Sequence, residues 1–355
     1  MRRLLINRTA QRLGALVVGV ALVVAVVLRR DLIADAVAQL GVLSVATVAT
    51  LVVLAVAERL TRAEIHRFLL PGIGMRRAVV VSDVGAAVGK GVPFGGPVAT
   101  VLRWQLARER GATPVDFVTM LVASGVALAF CSWGLPLVAT VVDTAGRPTD
   151  RADLAIIVVA AAVLVGSSCF WAVVLRSERA HAWVTARSAG LLRRFERVVP
   201  ALGDVDPTAT VEQVRDRLRA IARRPTGLLV RTAAAQITSA VVLWVALDGV
   251  GVGPELGVTE FARVFFVAQV LGSFAPTPGG VGIVEAGVTG ALVAAGVDPE
   301  LALAGVLLFR LVTYVLPIVL GAVEYAWWRH RRERRARDRR SDRPVGHGDP
   351  ARSAA

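Results

Sequence analysis

The stretch Ala275-Pro276-Thr277-Pro278-Gly279-Gly280-Val281-Gly282-Ile283-Val284-Glu285-Ala286 interrupts a segment that is otherwise apolar enough for a membrane. It places prolines, glycines and one carboxylate where a lipid-facing helix needs an unbroken ladder of backbone hydrogen bonds. A broken helix at membrane depth is tolerated only where protein or a water-filled cavity covers it. An ionisable group beside such a break is a functional-site hypothesis by default. We therefore predict a site inside the bilayer at this break.

The composition of the whole chain is that of a membrane protein. Of its 355 residues, 55% are hydrophobic, and the mean hydropathy is +0.61. Soluble domains rarely reach such values, so we predict an all-α polytopic membrane protein. The net charge is +14, but the arginines lie in loops between apolar stretches. This placement indicates membrane orientation rather than nucleic-acid binding, so we expect no nucleic acid as a partner.

Six apolar stretches are long enough to cross a hydrocarbon core, which needs about 20 helical residues. They cover roughly 12–28, 40–57, 115–140, 153–175, 227–247 and 300–326. Two further apolar segments, 75–110 and 259–296, are cut by glycine and proline near their centres. We interpret both as re-entrant helical hairpins, which enter and leave the bilayer on the same face.

The distribution of basic residues orients these segments. If the N-terminus lies inside, the inner segments hold 32 basic residues and the outer segments hold 4. Basic loops stay on the cytoplasmic side, and counting either broken segment as a full crossing would place basic loops outside. We therefore predict a multi-pass protein of the bacterial inner (plasma) membrane with both termini in the cytoplasm.

The two broken segments share a pattern of the form P-x-G-x15-G-x-x-P at a constant offset of 185 residues. Its members are Pro93, Gly95, Gly111 and Pro114 in the first copy and Pro278, Gly280, Gly296 and Pro299 in the second. Because three crossings separate the copies, they face opposite sides of the membrane. We predict an inverted repeat, with half 1 at about 12–140 and half 2 at about 153–326 of a transmembrane domain 1–328. Secondary transporters have this architecture, with their sites at the repeat interface.

Two polar segments are predicted to lie in the cytoplasm. Within 176–226, Val211, Val214, Leu218 and Ile221 recur at helical spacing among arginines. This pattern fits an amphipathic helix on the anionic inner leaflet and equally a solvated helical hairpin. The basic tail 329–355 is predicted to be disordered.

The glycines of both breaks are candidate ligand contacts. They let backbone N–H groups approach a ligand closely, and a helix that starts at such a break presents its positive end. Gly279, Gly280 and Gly282 form one group, and Gly95 with Gly96 forms the other. Two opposed helix N-termini suit an anionic group such as a lipid phosphate. The structural alternative is that the glycines only permit close helix packing, but packing alone does not need the flanking prolines.

Four charged residues complete the candidate substrate-binding site. Glu285 should face the protein interior and find a cation, and Arg310 in the last span is its natural partner. The pair either fixes helix packing or opens as a headgroup or proton passes, and the sequence leaves both interpretations open. Arg103 and Lys90 are candidate phosphate contacts, although Arg103 could instead snorkel to the interface.

The predicted spans contain no metal-ligand cluster, no ATP-binding loop and no nucleophile–base arrangement. We therefore expect neither a cofactor nor an enzymatic activity.

The core Pro278-Gly279-Gly280-Val281-Gly282-Ile283-Val284-Glu285-Ala286, followed by Arg310 and Pro317, resembles the lysylphosphatidylglycerol synthase transmembrane family, also called flippase-like membrane proteins. Pro93-Phe94-Gly95-Gly96 with Arg103 resembles the first glycine-rich segment of that family. In the full-length synthases, this region precedes an aminoacyl-transferase domain and is implicated in moving the aminoacylated lipid across the bilayer. Only a short basic tail follows the last span here.

The resemblance therefore implies lipid translocation without the synthase activity. The expected cargo is an anionic or aminoacylated phospholipid or a polyprenyl-phosphate-type lipid, and the expected partners are lipids with anionic headgroups. An alternative is a membrane scaffold for an envelope glycosyltransferase or lipid synthase. An enzyme acting on a polyprenyl-phosphate lipid is the least favoured hypothesis.

Overall fold

The computed structural model describes residues 43–92, 95–146, 148–179, 182–183, 185–187, 207–252, 256–274 and 278–341. These residues form helices and the turns between them, which confirms the all-α prediction. The predicted span 12–28, the prolyl residue Pro93 and the end of the tail lie outside the described residues.

The principal helices are numbered here in chain order. Their bounds are α1 Val45–Leu69, α2 Met75–Gly91, α3 Gly95–Arg108, α4 Pro114–Thr144, α5 Arg151–Arg176, α6 Pro207–Arg223, α7 Thr226–Gly249, α8 Val258–Phe274, α9 Ile283–Ala294, α10 Pro299–Arg310 and α11 Leu316–Ser341. A π-helical turn, Leu311–Val315, joins α10 to α11.

Among the described residues, four helical stretches are long and apolar enough to cross a membrane: Pro114–Thr144, Asp153–Arg176, Thr226–Gly249 and Pro299–Arg334. They coincide with four of the six predicted spans. The predicted span 40–57 falls on α1, which is not among these four helices. Helix α1 continues to Leu69, so the prediction of a loop from residue 58 was wrong.

The segment 75–110 is an antiparallel pair of helices. Arg77, near the start of α2, donates a hydrogen bond to the carbonyl oxygen of Leu106 near the end of α3. Helix α2 has 17 residues and α3 has 14. At about 1.5 Å per residue, neither helix reaches across a hydrocarbon core of about 30 Å.

The segment 259–296 is likewise divided into two short helices that pack against each other. Helix α8 has 17 residues and α9 has 12. A Cβ atom on Gly287 of α9 would lie 2.0 Å from a methyl carbon of Leu271 in α8, so the glycine permits this close approach.

Arg263, in the first half of α8, joins this helix to the start of α5. Its guanidinium lies 2.6 Å from a carboxylate oxygen of Asp150 and 2.6 Å from one of Asp153. The backbone N–H of Asp153 and the Arg263 guanidinium both lower the pKa of the Asp150 carboxyl.

The predicted repeat signals have the same local geometry in both copies. Gly111 and Gly296 adopt positive φ values of 84° and 92°, a conformation that favours glycine. Thr113 and Asp298 then cap the next helices, and a proline follows each of them at the first helical position. Both copies of the pattern therefore start the next helix in the same way, as the shared glycine and proline spacing predicted.

Helix packing follows the same offset. A shift of 185 residues takes α1 onto α7, α2 onto α8 and α4 onto α10 with α11. Helices α1 and α7 pack against each other at the centre. Helix α2 packs on α11, and its counterpart α8 packs on α4, so each short-helix pair rests on a long helix of the other half.

Helix α6 fits the helical prediction for the segment 176–226, whereas the tail is more helical than predicted. Helix α6 lies within the predicted insertion, buries Val214, and packs on α4 and α5. Helix α11 extends through the arginine-rich sequence to Ser341, so the prediction of disorder from residue 329 was wrong as far as that residue. Arginine is a good helix former, and the Arg329–Glu333 pair adds i,i+4 support.

Candidate functional site

Glu285 and Arg310 form a buried ion pair at the second break. The Nε of Arg310 lies 2.8 Å from one carboxylate oxygen of Glu285, and both side chains are less than a tenth exposed. The other carboxylate oxygen accepts a hydrogen bond of 2.6 Å from the backbone N–H of Gly282. Arg310 also donates to the carbonyl oxygen of Gly279 at 2.9 Å. The predicted pair is present, and every carboxylate oxygen in it has a partner.

The three glycines of this break turn the chain sharply before α9. Gly279, Gly280 and Gly282 have φ values of 60°, 71° and 84°. A Cβ atom on Gly279 would lie 2.2 Å from the ring of Tyr314, and the Arg310 guanidinium lies 4.3 Å from the centre of the same ring. Gly279 therefore permits a close approach of protein, and the N–H of Gly282 is bonded to Glu285 rather than left for a ligand.

Lys90 joins the first short-helix pair to this break. Its ammonium group donates a 2.7 Å hydrogen bond to the carbonyl oxygen of Thr313, which lies in the π-helical turn. In return, the hydroxyl of Tyr314 donates to the carbonyl oxygen of Lys90. The two halves of the repeat thus meet through reciprocal hydrogen bonds, and Lys90 lies beside the Glu285–Arg310 pair.

Arg103 has a different environment. Its Nε is buried, and among the residues that the structure describes the side chain has no hydrogen-bond or ion-pair partner. The guanidinium lies flat against Gly85 of α2, where a Cβ atom would approach its Nε to 1.7 Å. Arg103 is five residues from the end of α3, hence roughly 8 Å inside that end. The residue as a whole is partly exposed, and only its Nε is buried against α2.

Gly95 and Gly96, the two glycines of the first break, have different surroundings. A Cβ atom on Gly95 would lie 2.0 Å from the carbonyl oxygen of Val88, so this glycine permits the tight turn into α3. Gly96 has open space around its Cα.

A charge network that the sequence did not predict lies between α1, α2 and α11. Arg59 of α1 bridges Asp83 of α2 and Glu324 of α11, at 2.7 Å in both cases. Glu58, only 3% exposed, accepts from Arg62 one helical turn later. The network joins three helices from both halves of the repeat.

His66 extends this charged face of α1. Glu58, Arg62 and His66 are spaced by four residues, and the Nδ1 of His66 is buried without a partner among the described residues. This i, i+4, i+8 spacing was the available signal that a helix continues past residue 57. The histidine lies in a helix, and the prediction that placed it in a loop was wrong.

The arrangement does not resemble a metal centre. Within the described ranges, no group of three or more His, Cys, Asp or Glu side chains could hold a metal ion. Within the same ranges, the Nε of Arg103 and the Nδ1 of His66 are buried polar atoms without a hydrogen-bond partner.

The family described as the lysylphosphatidylglycerol synthase TM region matches residues 11–321. The chain belongs to this family. The match covers both short-helix pairs, the Glu285–Arg310 pair and Arg103, and it confirms the family to which the glycine-rich motifs pointed. Together with the four apolar helices, it shows a multi-pass membrane protein. No curated protein sequence matches the chain.

Proposed function

We propose that this member of the lysylphosphatidylglycerol synthase TM region family binds lipids with anionic headgroups and moves them across the bacterial inner membrane. The cargo is an anionic or aminoacylated phospholipid or a polyprenyl-phosphate-type lipid. The observation that carries the proposal is Arg103, a partly exposed arginine whose buried Nε has no hydrogen-bond partner among the described residues. A buried unpaired cation is costly, so a ligand of opposite charge is its expected counterpart.

The groups around Arg103 support phosphate as the ligand. A guanidinium presents a planar fork of donors that matches phosphate geometry. The unpartnered Nδ1 of His66 offers a further polar contact nearby, on the same face of α1 as Arg62. The acidic residues of this region are already held by arginines, so they do not neutralise Arg103.

The Glu285–Arg310 pair has a different proposed role. Because its carboxylate oxygens and its guanidinium are bonded within the protein, it holds the second break against α10. Headgroup binding is assigned to Arg103, and the pair supplies the rigid frame on which the second short-helix pair rests.

Both short-helix pairs are proposed to be re-entrant and to enter from opposite faces. The helices are too short to span, and each pair rests on a long helix of the other half. In a background with Cys131 and Cys169 replaced by serine, cysteines at Arg76 and Ala112 should label only from the cytoplasmic side. Cysteines at Val258 and Ala295 should label only from outside. Labelling of the two ends of one pair from different sides would contradict the re-entrant arrangement.

The transport activity is tested with the purified protein in liposomes. A fluorescent phosphatidylglycerol in both leaflets is exposed to a membrane-impermeant quencher, and the fraction quenched is followed over time. We expect protein-containing liposomes to lose more than the outer-leaflet half of the signal, and empty liposomes to lose only that half. Equal behaviour of the two, across phosphatidylglycerol, lysyl-phosphatidylglycerol and polyprenyl-phosphate probes, would contradict transport and favour the scaffold hypothesis.

A further inference from the structure

A cavity large enough for part of a lipid lies between α4, α5, α6 and α7. Arg103 is not among the residues that line it. The volume of the cavity is about 640 Å³, within the range of about 300–1,000 Å³ that is usual for ligand pockets. Apolar side chains form most of the wall, among them Phe130, Trp171, Leu218 and Leu229. The wall contributed by α5 runs from Ser168 to Arg176, about 12 Å along the helix. This cavity is called the α5 crevice below.

Basic side chains line one end of the α5 crevice. Arg176 ends α5, and Arg219 and Arg223 lie one turn apart near the end of α6. Arg219 is engaged with the protein, since its Nε donates to the carbonyl oxygen of Leu175 at 2.9 Å. Arg176 and Arg223 are exposed and have no hydrogen-bond or ion-pair partner within the described part of the chain. The polar end of the crevice therefore carries two uncompensated positive charges.

Helix α6 is held firmly across this end. Arg215 is buried and donates to the carbonyl oxygen of Leu175 at 3.0 Å, and Arg217 pairs with Asp116 in the first turn of α4. Helix α6 thus bridges the end of α5 and the start of α4, which keeps the arginines at a fixed height beside the crevice. An apolar slot that ends in fixed cations is complementary to an acyl chain that ends in an anionic headgroup.

We propose that the α5 crevice holds one anionic phospholipid of the inner leaflet as a resident ligand. An acyl chain lies between α4, α5 and α7, and the phosphate contacts Arg176 and Arg223. The inner leaflet follows from the arginine-rich loop on this side, and inner-leaflet lipids attract such basic clusters. This site is separate from the proposed transport site, and its occupant stabilises the position of α6 and does not cross the membrane.

Native mass spectrometry of the full chain tests the proposal, with Arg103→Met as the background so that the proposed transport site contributes nothing. The protein is released from nanodiscs of equimolar phosphatidylglycerol and phosphatidylcholine. We expect one retained phosphatidylglycerol, and about tenfold less retention after Arg176→Ala with Arg223→Ala, because each arginine near a membrane surface adds to anionic-lipid binding. The matched control Arg179→Ala with Arg224→Ala removes two exposed arginines that do not line the crevice and should leave retention unchanged.

The apolar part is tested by filling the crevice. Ala172→Trp places a bulky ring in the α5 crevice, whereas Val173→Trp places one on the exposed side of the same helix. Only Ala172→Trp should reduce retention. Equal retention of both lipids, or unchanged retention in Ala172→Trp, would overturn the proposal. Displacement of the lipid by inorganic phosphate would show a free-anion site instead of a lipid site.

Discussion

Arg310 is buried and Arg103 is partly buried, each near a glycine-rich helix break, and of the two only Arg310 has a bonded partner within the described residues. Arg310 contacts a carboxylate, a carbonyl oxygen and a tyrosine ring within a few residues of the second break. Arg103 rests on a bare glycine and has no bonded partner within the described residues. The two halves of the repeat therefore share helix geometry, and they differ in whether the arginine near the break has a bonded partner.

This difference separates a structural arginine from a binding one. A fully bonded buried pair adds rigidity but leaves no bonding capacity for a ligand. An unpaired buried guanidinium reduces stability and keeps its donors available. The second break and its Glu285 are thus assigned a structural role. The binding role is assigned to Arg103 in the first half of the repeat.

The largest expected effect comes from breaking the satisfied pair. Glu285→Ala leaves the Arg310 guanidinium and the Gly282 N–H buried without their partner, so we expect a loss of about 3–5 kcal/mol in the free energy of unfolding. The measurement is reversible unfolding in mixed micelles. The matched control is Glu300→Ala, an exposed acid in α10, which should change the free energy by less than about 0.5 kcal/mol.

The double variant Glu285→Ala with Arg310→Met sharpens this test. Removing both charges eliminates the unpaired cation, so part of the lost stability should return. A Glu285→Ala variant as stable as the Glu300→Ala control would show that the pair does not hold the break, and the contrast with Arg103 would disappear.

A smaller effect of opposite sign is expected at Arg103. Arg103→Met removes an unpaired buried donor while keeping the length of the side chain, so we expect the free energy of unfolding to rise by about 1–2 kcal/mol. The same unfolding measurement applies. A loss of stability close to that of Glu285→Ala would indicate that Arg103 has a structural partner in the protein.

The local signals of the fold could be predicted from the sequence. Gly111 and Gly296 were predictable because a turn with positive φ demands glycine, and Thr113 and Asp298 because capping acts within four residues. The Glu285–Arg310 pair was predictable for another reason. Each is an isolated charge in an apolar segment, and such charges must find each other.

The rest of the site depends on tertiary contacts that no local pattern contains. Charges that follow an apolar run normally mark the exit from the membrane, so Glu58 and Arg59 were assigned to a loop. Glu58 is buried and Arg59 is partly buried instead, because Asp83 and Glu324 come from distant helices to pair with Arg59. The unpaired state of Arg103 was equally hidden, since it depends on the space that Gly85 leaves.

The central claim is that Arg103 carries the headgroup during transport, and the rate of phosphatidylglycerol exchange between leaflets tests it most directly. The rate is compared for the unaltered protein, Arg103→Met, Arg103→Lys and the control Arg108→Met, which removes an exposed arginine from the same helix. We predict that Arg103→Met falls to the rate of empty liposomes, that Arg103→Lys is intermediate because it keeps the charge without the fork, and that Arg108→Met is unchanged. Exchange by a folded Arg103→Met protein at the unaltered rate would contradict the account.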